Sequence, residues 1–176
     1  MPDLQDLENK VKYNDSIAGI LMINPDNPTG AVYPRSVLEA IVDIARRYRV
    51  FVMCDEIYAH IVYNNAETIH LSEVIGDVPG LALRGISKEL PWPGGRCGWI
   101  EVFNQNDYPV FQRYIKSVVN AKMLEVCSTS LPQRAIPLII GDPRYEGHLE
   151  RRKKMFERRA NEAYDVFSKV EGITVN

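Results

Sequence analysis

The chain has 176 residues, 45% of them hydrophobic and 25% charged, with a formal net charge of −2. Such a composition belongs to a globular chain, and the length allows one domain with a sizeable core or a part of something larger. The charge offers no basic field for nucleic acid, no apolar run approaches the roughly 20 residues of a membrane span, and the N-terminus lacks the basic-then-apolar form of a signal peptide.

Cys54, Cys97 and Cys127 are odd in number and form no C-x-x-C pair. Neither a disulfide framework nor a zinc site fits them, so a reduced, cytoplasmic protein is expected. Met1 is followed by Pro2-Asp3-Leu4, which does not read as the opening of a first strand, and the chain stops at Val175-Asn176, inside what reads as the start of a new one. It is expected to be a fragment of a longer protein.

In chain order, residues 3–13 place Leu4, Leu7 and Val11 at helical spacing and predict a short amphipathic helix. Residues 17–23 are a continuous apolar run and predict a strand buried on both faces. Asn24-Pro25-Asp26-Asn27-Pro28-Thr29-Gly30 follows, a turn too dense in proline for any regular element. From Pro34 a helix is expected, with Val37, Leu38, Ile41, Ile44 and Ala45 on one face and Arg46, Arg47 and Arg49 near its end. Val50 to Cys54 predicts a second buried strand, ending at Asp55-Glu56. Residues 57–80 are irregular, with Tyr58 and Tyr63 among them, and Ser72 is a candidate helix cap. Leu81 to Ile86 predicts a third strand, ending at Ser87-Lys88, and Gly98 to Phe103 a fourth. The loop between those two is too short for a crossover helix, so they should run antiparallel. Helices are expected from Asp107 to about Asn120 and from Ser130 to Ile140. A long, charged and largely solvated helix should run from Pro143 to about Val170.

This alternation predicts an α/β fold with a mostly parallel sheet and one antiparallel strand. In such sheets ligands bind beyond the C-terminal ends of the strands. Asn27, Asp55, Ser87 and Lys88 all follow strands there. A lysine amine forms a Schiff base with a carbonyl. Asp55 suits a protonated ring nitrogen, and Tyr58 with Asn27 suits a ring hydroxyl. Ser87 and Arg96 suit a phosphate, through a hydroxyl and a guanidinium fork. One cofactor presents all of these groups: pyridoxal 5′-phosphate (PLP). Other residues have plainer readings. Glu56 is expected to be structural, Pro28 and Gly30 to shape the turn, and Cys97 and Trp99 to pack. His60, His70 and His148 have no spacing suited to a metal or a catalytic triad, and should be satisfied by neighbours or face solvent.

Asn27-Pro28-Thr29-Gly30, Asp55-Glu56-Ile57-Tyr58, and Ser87-Lys88 with Pro93-Gly94-x-Arg96-x-Gly98-Trp99 resemble, in order, the signatures of fold-type I, class I/II aminotransferases. The close resemblance covers about residues 17–103. It implies that Lys88 carries PLP as an aldimine and then serves as the acid/base that moves the substrate proton. It implies that Asp55 pairs with the pyridinium nitrogen, that Tyr58 and Asn27 bond the phenolate oxygen, and that Ser87 and Arg96 hold the phosphate. A protonated ring is the electron sink of this chemistry. The substrates implied are an amino acid and a 2-oxo acid, and the parent protein is expected to be a homodimer. Residues 1–142 would be the C-terminal half of the large PLP-binding domain, and 143–176 a long helix leading to a small domain. Carbon–sulfur lyases and aminocyclopropane-carboxylate synthase-like enzymes share these residues, as would a PLP-binding regulatory module without turnover. The run after the lysine, Glu89-Leu90-Pro91-Trp92, departs from the family's commoner small or polar residues.

Overall fold

The computed structural model describes residues 1–175. Helix α1 spans Leu4–Lys12, with Asp3 capping it by accepting from the backbone N–H groups of Gln5 and Asp6, both at 3.0 Å. Strand β1 (Gly19–Ile23) follows, then α2 (Arg35–Tyr48), β2 (Phe51–Asp55), the short α3 (Leu71–Val74), β3 (Gly80–Gly85) and β4 (Gly98–Phe103). Helices α4 (Pro109–Met123), α5 (Ser130–Ile140) and α6 (Tyr145–Phe167) complete the described chain. No helix among the described residues is long and apolar enough to cross a membrane.

The four strands pair in sequence order. β1, β2 and β3 are parallel, and β4 returns antiparallel to β3. The α/β fold with one antiparallel strand, expected from the alternating pattern, is the one observed. Along β1 and β2 the alternation of side chains sends Ile20, Met22, Val52 and Cys54 to one face. There they pack with Leu38, Ile41, Val42 and Ala45 of α2 and with Leu71 and Val74 of α3. The opposite face carries Phe51, Met53, Leu81 and Leu83 against Phe111 and Ile115 of α4. The Phe51 ring lies 5.4 Å from Phe111 and 5.3 Å from Tyr114, centroid to centroid. The sheet is thus a middle layer between helices.

Four expectations differ from what is found. β1 is not buried on both faces: it lies at the end of the strand order, and Leu21 is 64% exposed. Ser72 does not cap α3; it lies inside that helix, whose start is closed by the His70 N–H donating to the Glu73 carboxylate at 2.9 Å. α4 begins at Pro109, because a single 3-10 turn, Gln105–Asp107, occupies the residues before it. Residues 173–175 have no strand partner, and Asn176 lies outside the described residues.

The turn after β1 is held by a residue whose part no sequence pattern marked. Asn24 is fully buried. Its backbone N–H donates to the Asp55 carbonyl at 3.0 Å. Its amide donates to the Ile69 carbonyl at 3.2 Å and accepts from the Tyr33 N–H at 2.8 Å. The Asn24–Pro25 and Asn27–Pro28 peptides are both cis. Replacing Asn24 by Leu leaves a buried donor and a buried acceptor unmatched, and should cost about 2 kcal/mol in urea unfolding.

Candidate cofactor and active site

The parallel register sets the strand ends level. Ile23 pairs with Asp55, and Asp55 with Leu83. Asp55 closes β2, half-buried, and its carboxylate accepts from the Ile57 N–H at 3.0 Å. That contact is an Asx turn, which bends the chain out of the strand. Tyr58 follows in the same turn. β3 ends at Gly85, and Ser87 and Lys88 occupy the turn directly after it. Lys88 Nζ stands over the Tyr58 ring, 5.4 Å from its centroid, within the range of a cation–π contact. Of the six candidate residues, this is the pair brought into contact.

Asn27 lies exposed in the turn that Asn24 anchors at the end of β2. Arg96 sits on the far side of the hairpin loop that begins at Ser87. The β3–β4 ladder continues one step past the strands, through the Ile86 N–H and the Cys97 carbonyl at 3.3 Å, so Ser87 and Arg96 flank the same loop mouth. Arg96 is exposed, and its guanidinium donates to the Pro93 carbonyl at 3.1 Å. Its backbone is left-handed, with φ 46° and ψ 47°, a conformation that costs a non-glycine residue about 1 kcal/mol. The loop closes tightly at Gly95, where a Cβ would sit 2.8 Å from Ile86 and 2.9 Å from the Trp92 ring.

Two carboxylates support this layout from behind. Glu56 is fully buried. It accepts from the Leu71 N–H at 2.6 Å and lies 2.7 Å from His70 Nδ1 and 2.9 Å from an Arg84 nitrogen. Paired in this way, a buried charge is tolerated, and it ties the turn after β2 to α3 and β3. Glu89, next to Lys88, lies 2.7 Å from His60 Nδ1 and accepts from the Tyr145 hydroxyl at 3.1 Å. All three histidines therefore have partners, His148 through the Glu89 carbonyl at 2.9 Å. Among the described residues no group of three or more His, Cys, Asp or Glu is arranged to hold a metal ion. An amine over a phenol, a carboxylate on the adjacent strand end, and a hydroxyl with a guanidinium about one loop form a donor set suited to PLP.

The sequence profile of the family "aminotransferase class I and II" matches residues 1–176. The chain belongs to that family. An uncharacterized aminotransferase of Methanocaldococcus jannaschii is 54% identical over 175 residues, which is 99% of this chain and 40% of that protein. The glutamate–pyruvate aminotransferase of Haemophilus influenzae is 33% identical, covering 98% of this chain and 42% of its own length. Among solved structures, the alanine aminotransferase from Pyrococcus furiosus superposes with a TM-score of 0.89 at 28% identity, over 99% of this chain and 43% of that one. The chain thus spans about two fifths of the length of these relatives.

The supporting residue that the motif reading left without a role is Glu89. Its partners lie 29 and 56 positions away, too far for any local pattern. The Glu89 carboxylate, bonded to Nδ1, holds His60 above the usual histidine value, against the opposing effect of burial. A folded-state value above the unfolded one means that the pair stabilises fully below about pH 6.5. That stabilisation is lost as the pH rises through the raised value. In an NMR titration the His60 ring should therefore titrate above 6.5, and Glu89→Gln should bring it back down; an unchanged midpoint in the variant would show that Glu89 is not the cause.

Proposed function

We propose that this chain is part of a PLP-dependent aminotransferase that moves an amino group between an amino acid and a 2-oxo acid. The observation that carries the reading is Lys88, in the turn after β3, with its amine over the Tyr58 ring. Family membership supplies the reaction class. Residues 1–142 form part of the cofactor-binding large domain, and α6 leads toward further chain in the complete protein, a homodimer. The free thiols Cys54, Cys97 and Cys127 suit a reducing cytoplasm.

Each residue has a part suited to its position. The Lys88 amine would condense with the cofactor aldehyde, releasing water, and would afterwards carry the proton at the substrate Cα. Asp55, at the end of the neighbouring strand, would accept a hydrogen bond from the protonated ring nitrogen and so keep the proton on the ring. Tyr58 and Asn27 hydrogen-bond the ring oxygen. Ser87 and Arg96, about one loop mouth, take the phosphate. When bound, PLP supplies the electron sink that makes removal of the Cα proton feasible. The relatives named for alanine and for glutamate and pyruvate make those the first substrates to try.

Three outcomes are expected. Incubating the complete protein with PLP, reducing with borohydride and mapping peptides should place the phosphopyridoxyl group on Lys88. Lys88→Ala should abolish both that label and the visible absorbance; a spectrum that survives the substitution would sink the assignment. Arg96→Gly relieves the left-handed backbone while removing the guanidinium. It should therefore cost no stability, yet weaken PLP binding at least about tenfold, the scale of one lost charged hydrogen bond. Residues 1–176 alone should bind PLP weakly and give no alanine–glutamate amino transfer, in contrast with the complete protein.

A further inference from the structure

The residue after the candidate lysine is held more firmly than the lysine itself. Lys88 is exposed, whereas the Glu89 side chain is only 13% exposed. One Glu89 carboxylate oxygen lies 2.7 Å from His60 Nδ1, and the other accepts from the Tyr145 hydroxyl at 3.1 Å. Burial, with Glu89 alongside, pushes the Tyr145 phenol well above its usual value, so it stays a donor through the neutral range. The main chain is tied as well. The Lys88 carbonyl accepts from Arg152 Nη2 at 3.2 Å, and the Glu89 carbonyl lies 2.9 Å from His148 Nε2.

Tyr145, His148 and Arg152 are spaced by three and four along α6, so they stand on one face of that helix. They grip two successive carbonyls and one carboxylate of the same dipeptide, while His60 grips it from the segment after β2. A peptide plane fixed through both its own carbonyl and the next cannot turn without breaking a bond. Such a turn is the motion that would swing the Lys88 side chain away from Tyr58. None of these contacts touches the lysine amine. They set where the side chain starts, not how its nitrogen reacts.

Resting on the reading that Lys88 holds PLP, we infer that Glu89 is a positioning residue for Lys88, clamped between His60 and one face of α6 so that the lysine leaves its turn at a fixed angle. The requirement is for two acceptor oxygens. Glutamine has the same shape but only one, and alanine has none. The unusual acidic residue after the lysine is thereby accounted for.

The test uses the complete protein as wild type, Glu89→Gln, Glu89→Ala and Tyr145→Phe. Each is treated with PLP, reduced with borohydride and mapped, and the label on Lys88 is compared with that on the other lysines. Amide hydrogen exchange over residues 86–92 is followed without PLP. The Lys88 share should fall about tenfold in Glu89→Ala, the scale of a hydrogen bond lost. It should fall less in Glu89→Gln and in Tyr145→Phe, which removes one hydroxyl and should unfold only slightly below the wild-type temperature. Exchange should quicken in the same order. Equal labelling of Lys88 in all four proteins overturns the positioning role and leaves the cofactor reading standing. A wild type whose label falls elsewhere than Lys88 overturns the cofactor reading, and the positioning role with it.

Discussion

The level alignment of three parallel strands is the constraint on which the candidate site depends. With Ile23 beside Asp55 and Asp55 beside Leu83, each chain segment leaves the sheet at the same height. The ladders continue one residue further, through the Asn24 N–H to the Asp55 carbonyl and the Glu56 N–H to the Leu83 carbonyl, both at 3.0 Å. Leads of four residues from Ile23 to Asn27, three from Asp55 to Tyr58 and five from Leu83 to Lys88 then suffice to bring distant parts of the sequence to one edge. A slip of one residue would turn every side chain to the opposite face. It would place Val52 and Cys54 against α4, and the site would be lost with the core. The antiparallel return of β4 completes the layout by carrying Arg96 back to the loop that Ser87 opens.

Register alone does not hold the irregular segment between β2 and α3. That falls to Glu56. Its carboxylate is stripped of water, a loss of several kcal/mol that only full pairing offsets. The Leu71 N–H, His70 and Arg84 supply that pairing, and Arg84 in turn lies 3.1 Å from Glu101 of β4. One charge thus joins the turn carrying Tyr58 to a helix start and to the third and fourth strands. A hydrophobic residue there could pack as well, but could not fix the azimuth of that turn, because dispersion contacts are not directional.

The strands, their order and the antiparallel pair were legible because continuous apolar runs and one short loop leave little choice of topology. The lysine, carboxylate, phenol and guanidinium were legible because their motifs are local. Contacts between remote residues were not. The charges of α6 read as a wet face, and most of them are: Lys154 and Arg158 pair with Glu150 and Glu162 on their own exposed helix surface. Tyr145, His148 and Arg152 share that sequence and differ only in what the fold sets opposite them. Leu21 misled for a related reason. An apolar run predicts a strand, but whether its second face is covered depends on what lies beside it, and β1 ends the described sheet.

The site divides into anchored backbone and exposed tips. Asp55, Glu56 and Glu89 are held by named hydrogen bonds, whereas the Asn27, Lys88 and Arg96 side chains stand exposed. Long side chains lose rotamer freedom when they close on a ligand, at a cost of up to about 2 kcal/mol each. Fixing the main chain beforehand confines that loss to the tips, since the peptides beneath them have nothing further to lose. Arg96 is the extreme case. Its backbone is held in an unfavourable left-handed turn by the Pro93–Gly95 loop, an outlier of the kind that persists only where surrounding structure over-determines it. A guanidinium aimed from a strained but rigid turn can bind an anion with less reorganisation than one on a free strand. Rigid peptides carrying mobile tips are what a site needs if it must grip a cofactor firmly and still let a lysine amine move.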